Sequence, residues 1–534
     1  MLKVKYFAIF FLSLFFVRIA IFSINYGAID HDGGWFSGVA RNMAENFQYA
    51  SYTNPLTGRE TIGKGIWGRP AIQDEKGNVY FTSGVSAGPA FVFPEALFLK
   101  IFGFSIISFK IFPLISFLIL ILLCAYFTYV LSGYFGLILL TAWWWLIPQE
   151  HLPMAYDGLA EHIALMYFFL SLYFFYKREK HKKFVILSGV FLSFSVLTKL
   201  LFFMFLGAFI LYYIEKFLTH KKAIIKEFLM FVLAFAIPLL LFEAYRFCVF
   251  MFKFNFQAWV NNNLEHTTHF STGGGTLSKL LSFDLSHMQK KLSFIYGLGI
   301  NSTYLIWAII AVSLLFFWKK FRDNSSIQIL IYSTFGMSLW FIFISSSGFS
   351  RHFYPAIFFI QILLVSLLVN FVKSKLDKKI KIILCCLIPF SFNFQMFTHD
   401  FNLDLKNISN WDKYRYMTGL QGFPTNPVFP LAEQEGVVGF IEENKANDYT
   451  YYYLSGYIVA EISGITGKVF YPLQRVNLNR FYNVGKKHLL ILGPYNVAQT
   501  PWSLSGPELL VQVKNQLCNK ELFRNNSYFI CEIK

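Results

Sequence analysis

The stretch "GAIDHDGGWFSGVARNMAENF", beginning at Gly27, sets two carboxylates, Asp30 and Asp32, around His31 and ahead of a glycine pair, directly after an apolar run. Carboxylates beside an imidazole can move protons, and they are also hard ligands for a cation. Three further places hold charge where an apolar run begins or ends. They are Asp157 and Glu161 in "AYDGLAEHIALMYFFL", Lys199 in "VLTKLLFF", and Arg351 with His352 and Tyr354 in "SRHFYPAIFFIQILL". A lone charge at a membrane boundary is ordinarily a snorkelling anchor. Both signs gathered at one end of a helical bundle point instead to a site.

Whether they gather depends on how the chain is threaded. Of 534 residues, 55% are hydrophobic and 14% charged, against about 25% charged in a soluble domain. Apolar runs of the roughly 20 residues needed to cross a bilayer recur, so the chain is read as a polytopic membrane protein. The net charge of +17 comes from 47 Lys and Arg against 30 Asp and Glu. The bases sit in short clusters between apolar runs: "KREKHKK" from Lys177, "THKKAIIK" from Thr219, "WKKFRD" from Trp318 and "KSKLDKKIK" from Lys373. That is the positive-inside pattern of cytoplasmic loops. The basic balance therefore reports topology, and nucleic acid is not an expected partner.

With Lys3 and Lys5 inside, spans are predicted over residues 6–26, 107–130, 134–147, 159–176, 228–250, 296–318, 327–345, 353–372 and 382–397. The apolar block 184–214 exceeds the roughly 17–25 residues of one span and is flanked by bases at both ends. It is read as two short helices turning at "TKL", which brings Lys199 to the outer face. The fold class expected is mainly α: a membrane bundle of about eleven spans with a cytoplasmic N-terminus. Residues 1–397 form the membrane domain, with a first outer loop at 27–106, and residues 398–534 an extracytoplasmic C-terminal domain. Trp35, Val39, Met43 and Phe47 recur at helical spacing, so a helix there is expected to lie along the membrane surface. "GPAFVFPEALFLKIFG" from Gly88 is read as a second interfacial helix. In the tail, runs such as "DYTYYYLSGYIV" and "KHLLILG" alternate with turn residues, predicting a small α/β domain. Cys518 and Cys531 can pair there if that compartment is oxidising.

This threading puts Asp30, His31, Asp32, Asp157, Glu161, Lys199, Arg351 and His352 on one side. At this point the chain resembles the GT-C type glycosyltransferases that use lipid-linked sugars. The likeness is to the branch holding the protein O-mannosyltransferases and the aminoarabinose transferases. "IDHDGGWFSGVARNMAENFQYASYTNP" is similar to that branch's first outer loop, and "AYDGLAEHIALMYFFL" to its second acidic motif. "VLTKLLFF" is similar to its Thr-Lys turn, and "SRHFYPAIFFIQILL" to its Arg-aromatic-x-x-Pro motif at the start of a late span. The likeness covers residues 1–397. It departs at Gly33-Gly34, looser than the common acidic-x-x-Tyr pattern, and at Leu200, which replaces a frequent Gly or Pro.

The resemblance implies a polyprenyl-phosphate donor carrying one sugar, and an acceptor hydroxyl on a glycan, lipid or protein outside a plasma (inner) membrane. A carboxylate must then take the acceptor's proton, Asp32 first and Asp30 as its substitute. Cations must stabilise the departing phosphate: Lys199, and Arg351, whose fork binds two oxygens at once. The glycine pair is expected to leave room for the sugar. Asp157 and Glu161, four apart, are expected on one helix face, binding sugar or acceptor, with His352 and Tyr354 also toward substrate.

Each residue also has a reading that needs no function. "DHDGG" can be a helix cap, Glu161 an acid favoured by a helix dipole, and His352 part of an aromatic belt. No zinc-type Cys/His spacing occurs, so no cofactor is expected, while a divalent metal is left open. A flippase or transporter of lipid-linked saccharide is the rival class, but its charges would lie near the midplane of repeated helices, and no repeat is visible. A polysaccharide polymerase or ligase is the other alternative.

Overall fold

A computed structural model describes residues 2–25, 27–52, 72–81, 88–146, 152–272, 324–341, 352–372, 429–454, 459–473, 487–497 and 507–534. The spans expected at 296–318 and 382–397, the domain boundary at 397 and 398, and Arg351 lie outside the described residues. The helices that matter for the site are α1 (Leu2–Asn25), α2 (His31–Asn46), α3 (Pro89–Phe102), α4 (Ser108–Leu146), α5 (Glu161–Lys177), α6 (Lys183–Thr198), α7 (Met204–Lys253), α8 (Ser325–Leu339), α9 (Tyr354–Val372), α10 (Leu431–Glu443) and α11 (Ala460–Thr466).

Helix α1 shows what kind of solvent surrounds the bundle. It buries Ala8, Leu12, Phe15, Ile19 and Phe22, spaced by threes and fours, yet its opposite face exposes Phe7, Phe10, Leu14, Val17 and Ile21. A helix at a water boundary would be polar on that second face. Among the described residues, four helical segments are long and apolar enough to cross a membrane: Lys3–Asn25, Ser108–Trp145, Leu200–Leu218 and Ile224–Lys253. The chain is a membrane protein.

Two long helices are in fact hairpins. The helical path of α4 is broken at Gly133, whose φ of 74° lies in the region that glycine tolerates. On one side of the break Lys110 Nζ donates to Ser23 O at 3.0 Å, and on the other Arg18 Nη1 donates to Trp145 O at 3.0 Å. Residues 18 and 23 are about 8 Å apart along α1, whereas residues 110 and 145 of a straight helix would be about 50 Å apart. The chain therefore reverses at Gly133, between the two spans predicted on either side of it. In α7, Phe209 stacks on Phe231 with ring centroids 4.8 Å apart, where a straight helix would separate them by about 33 Å. It too doubles back, around the basic "THKKAIIK". The turn predicted at "TKL" is also present. Helix α6 ends at Lys199, which is extended (φ −149°, ψ 118°), and a 3-10 turn over Leu200–Phe203 leads into α7.

The bundle has two chemically different ends. At the C-terminus of α5, Arg178 donates to Glu227 (3.0 Å), Tyr212 (2.6 Å) and Ser325 (2.6 Å), tying α5, α7 and α8 together beside the "KREKHKK" cluster. The N-terminus of α5, about 25 Å away, carries Glu161.

One expectation is corrected. Helix α2 does not lie along a lipid surface on its own: it is packed between α3 and α11, with Trp35, Phe36, Val39, Ala40 and Asn42 all buried. The apolar exposed face belongs to α3, where Phe93, Leu97 and Ile101 recur at four-residue spacing. That helix keeps the interfacial reading.

The tail folds as predicted into a small α/β unit. Strands β1 (Tyr449–Leu454), β2 (Phe470–Leu473), β3 (Lys487–Leu492), β4 (Cys518–Arg524) and β5 (Phe529–Ile533) form one sheet in the order β2-β1-β3-β5-β4. The first three are parallel, and β5 runs antiparallel to β3 and β4. Cys518 and Cys531 are joined by a disulfide across the β4–β5 pair. Helix α11 crosses α2 at glycines: a Cβ on Gly34 would overlap the Glu461 backbone, and one on Gly38 would lie 2.8 Å from Gly464 Cα. Only residues without side chains allow that approach.

Candidate active site

Between a short helix, Leu152–Tyr156, and α5 the chain is irregular over Asp157–Ala160, and every residue from Met154 to His162 is buried. A buried loop must find partners for its polar groups, and the partners here are the other charged motifs. The Tyr156 ring lies tilted against Phe22 with centroids 6.1 Å apart, has Lys110 Nζ 5.2 Å from its centre, and fills the space where a side chain on Gly27 would sit. A methyl on Gly33 would overlap the Asp157 carboxylate. One on Gly158 would lie 2.9 Å from Ser37 Oγ and 3.0 Å from Phe91. Lys199 Nζ donates to Leu159 O at 3.4 Å and forms a short ion pair with Glu161. The loop thus joins α2, α3, α4, α5 and the end of α6.

Ala160 closes this loop in the left-handed region, at φ 71°. A non-glycine residue held there costs about 1–3 kcal/mol, and such strain persists only where the surroundings enforce it. The turn corrects a second expectation. Asp157 lies outside α5, which begins at Glu161, so the two acids do not share a helix face. Asp157 instead turns toward α2 and Glu161 toward Lys199.

Asp30 occupies the N-cap position of α2 with an extended backbone (φ −72°, ψ 161°), but its side chain makes no capping hydrogen bond. Asp32 falls in the first turn, and both acids are buried, at 6% and 7% exposure. The cap reading therefore describes the backbone and not the carboxylate. The glycine pair is also explained differently from the expectation of room for a sugar. Gly33 admits Asp157, and Gly34 admits α11 of the tail.

Of the residues selected from sequence, Asp157, Glu161 and Lys199 meet along the 154–161 loop, and Asp157 lies against Gly33 of α2, the helix whose N-cap is Asp30 and whose first turn carries Asp32. Tyr354 is fully buried at the start of α9 with its ring edge-on to Phe358, and His352 sits beside Trp340. These two lie in the packing of α8 and α9. Arg351 is outside the described residues.

Three groups escaped the sequence reading. Lys110, 1% exposed, donates to both Ser23 O and Gly27 O at the C-terminal end of α1, where a cation complements the helix dipole. A base at the end of a span read as outer breaks the positive-inside pattern, and that breach was its signal. Glu95 of α3 is fully buried, and among the described residues neither oxygen has a hydrogen-bond partner of normal geometry. Burial pushes its carboxyl well above the ordinary range, while the nearby Ser37 hydroxyl acts in the opposite direction. Arg246, near the end of α7, is 8% exposed and pairs with Glu243 through Nη2, while its Nε and Nη1 have no partner among the described residues.

No protein-family model and no curated protein matches the sequence. Among solved structures, ArnT from Cupriavidus metallidurans in the apo state matches with a TM-score of 0.56 and 10% identity, over 99% of this chain and 98% of that one. ArnT bound to undecaprenyl phosphate matches with a TM-score of 0.57 and 10% identity, over 98% of each. The chain has the GT-C fold. An Archaeoglobus fulgidus oligosaccharyltransferase tethered to an acceptor peptide matches with a TM-score of 0.50 and 13% identity, over 92% of this chain and 70% of that one. At such identities the GT-C likeness is one of architecture. It spans both the helical bundle and the tail, so the tail is part of the shared plan. Among the described residues, no three His, Cys, Asp or Glu side chains are grouped to hold a metal ion.

Proposed function

We propose that this protein transfers a single sugar from a polyprenyl-phosphate donor to an acceptor hydroxyl on the outer side of a plasma membrane. The observation that supports this most is the meeting of Asp32's helix, Asp157, Glu161 and Lys199 around one buried loop. The GT-C fold adds to it, since one structure of that fold holds undecaprenyl phosphate and another an acceptor peptide.

In this reading Asp32 takes the proton of the acceptor hydroxyl as its oxygen attacks the anomeric carbon. The bond from that carbon to the phosphate oxygen breaks in the same displacement, and polyprenyl phosphate leaves with the electron pair. A single displacement inverts the anomeric centre. Lys199 and Arg351 offset the charge growing on the leaving phosphate, and Asp157, Glu161, His352 and Tyr354 hold sugar or acceptor. The Lys199–Glu161 pair keeps a cation in a water-poor site without leaving it unbalanced. The acceptor class covers an envelope glycan, a lipid or a protein.

The topology proposed is about eleven spans with a cytoplasmic N-terminus, a membrane domain over 1–397 and an extracytoplasmic domain over 398–534. The two hairpin reversals and the basic clusters support it, as does the disulfide, a bond that persists in oxidising compartments. The test is Asp32→Asn in purified protein with a polyprenyl-phosphate sugar. Transfer is expected to vanish while donor binding remains. Near-normal turnover would remove Asp32 from the role of base.

A further inference from the structure

The backbone of Gly27–Asp30 belongs to no helix or strand of its own, and much of its hydrogen bonding goes to residues distant in sequence. Lys110 donates to Gly27 O. Ala28 N donates to Phe429 O at 2.9 Å, and Gly27 forms an isolated bridge with Pro430. Gly34 N closes the first turn of α2 on Asp30 O at 2.8 Å. Ile29, which is 3% exposed, is left with two buried peptide groups. Both are met by one side chain 405 residues away: Ile29 N donates to Gln434 Oε1 at 3.0 Å, and Gln434 Nε2 donates to Ile29 O at 2.9 Å.

We infer that Gln434 is a positioning residue, an amide clamp through which the C-terminal domain fixes the Asp30–Asp32 acids. A carboxamide carries one acceptor and one donor side by side, matching the C=O and N–H of a single residue. Gln434 is itself fully buried on α10. Its Nε2 also approaches Tyr528 Oη at 3.5 Å, and that hydroxyl donates to Glu461 Oε1 at 3.2 Å, so the clamp is braced by the residue leading into β5 and by α11. Asn525 Nδ2 holds the start of α10 by donating to Glu433 O at 2.8 Å. The clamped residue directly precedes Asp30, and Asp32 follows in the first turn of α2. A small shift of Ile29 therefore moves both carboxylates together, and misplacement of about 1 Å can cost 10²-fold in rate. The tail thereby completes the site without contributing a reacting group.

This inference rests on the proposed transfer only for its kinetic arm. Gln434→Glu is the informative variant, because a neutral carboxyl reproduces the amide's donor and acceptor while a carboxylate cannot donate to Ile29 O. Relative to wild type, kcat of Q434E should be low at pH 8 and recover as pH falls to about 5, as burial raises its carboxyl's pKa. KM for the donor should stay unchanged throughout. Q434A should be slow at every pH. The titratable groups around this position are Tyr528, Glu461, Glu433 and Glu435 of the tail, and Asp30 and Lys110 of the membrane domain. They are present in both proteins and cancel in the ratio. Recovery at low pH also shows that the variant folds. A flat ratio, or Q434A turning over like wild type, overturns the clamp. Hydrogen exchange of the wild-type protein needs neither variant nor substrate: the Ile29 amide should exchange slowly, and fast exchange there also overturns the clamp. If wild type transfers no polyprenyl-phosphate sugar, the functional reading fails and the exchange result alone decides the clamp.

Discussion

The Glu161 carboxylate, fully buried, pairs with Lys199, 13% exposed, across the gap between the first residue of α5 and the extended residue that ends α6. Removing one partner of such a pair strands the other charge, at a cost of about 3–5 kcal/mol, whereas removing both is often close to neutral. Lys199→Met should therefore lower the thermal midpoint in detergent sharply. The Glu161→Gln, Lys199→Met double variant should regain most of that loss. Equal midpoints for single and double variants would show that the pair contributes nothing.

Gly33 faces the Asp157 carboxylate with no space for a methyl group. In Gly33→Ala the added carbon must push Asp157 away from α2. Transfer is expected to fall by about 10²-fold, with a smaller change in unfolding midpoint than Lys199→Met gives. Turnover at the wild-type rate would mean that the spacing between Asp157 and α2 does not matter to the chemistry.

Glu95 gives a pH prediction. Burial raises its carboxyl pKa in the folded chain, so the folded state holds a proton that the unfolded state has released. The contribution to stability is full below the ordinary carboxylate pKa and is lost as pH rises toward the folded value. Glu95→Gln fixes the neutral form, so its midpoint should exceed that of wild type by more at pH 8 than at pH 5. A difference that does not change with pH would mean that Glu95 titrates in the ordinary range.

The disulfide between Cys518 and Cys531 closes a short loop at the sheet edge, with a sequence separation of 13. A loop of that size corresponds to about 3 kcal/mol of stabilisation. Replacing both cysteines by serine should lower the midpoint of the tail. In intact cells, an impermeant thiol reagent should label these positions from outside only after mild reduction. Labelling from the cytoplasmic side alone would invert the proposed topology.

Much of the bundle is legible in the sequence. Apolar runs set where helices cross, and basic clusters set where they turn, because neither can be solvated on the wrong side of a bilayer. The breaks at Gly133, at "TKL" and around "THKKAIIK" fall where charge and run length put them. The same logic marked Asp30, Asp32, Asp157, Glu161 and Lys199, since ionised groups at those boundaries are costly to keep.

Local pattern misjudged α2, because the period that buries Trp35 and Val39 is the same whether the covering surface is lipid or protein. It also misassigned the glycines. A missing side chain can admit a ligand, a carboxylate or a helix backbone, and only the neighbour distinguishes them.

The sequence by itself determined the membrane class, the helical segments and the residue types at one end of the bundle, because those follow from solvation of each segment alone. Only the tertiary structure decided that Glu161 belongs to Lys199, that Asp157 belongs to Gly33, and that Gln434 reaches Ile29. Such pairings join residues far apart along the chain, and side-chain chemistry allows many partners where geometry permits one.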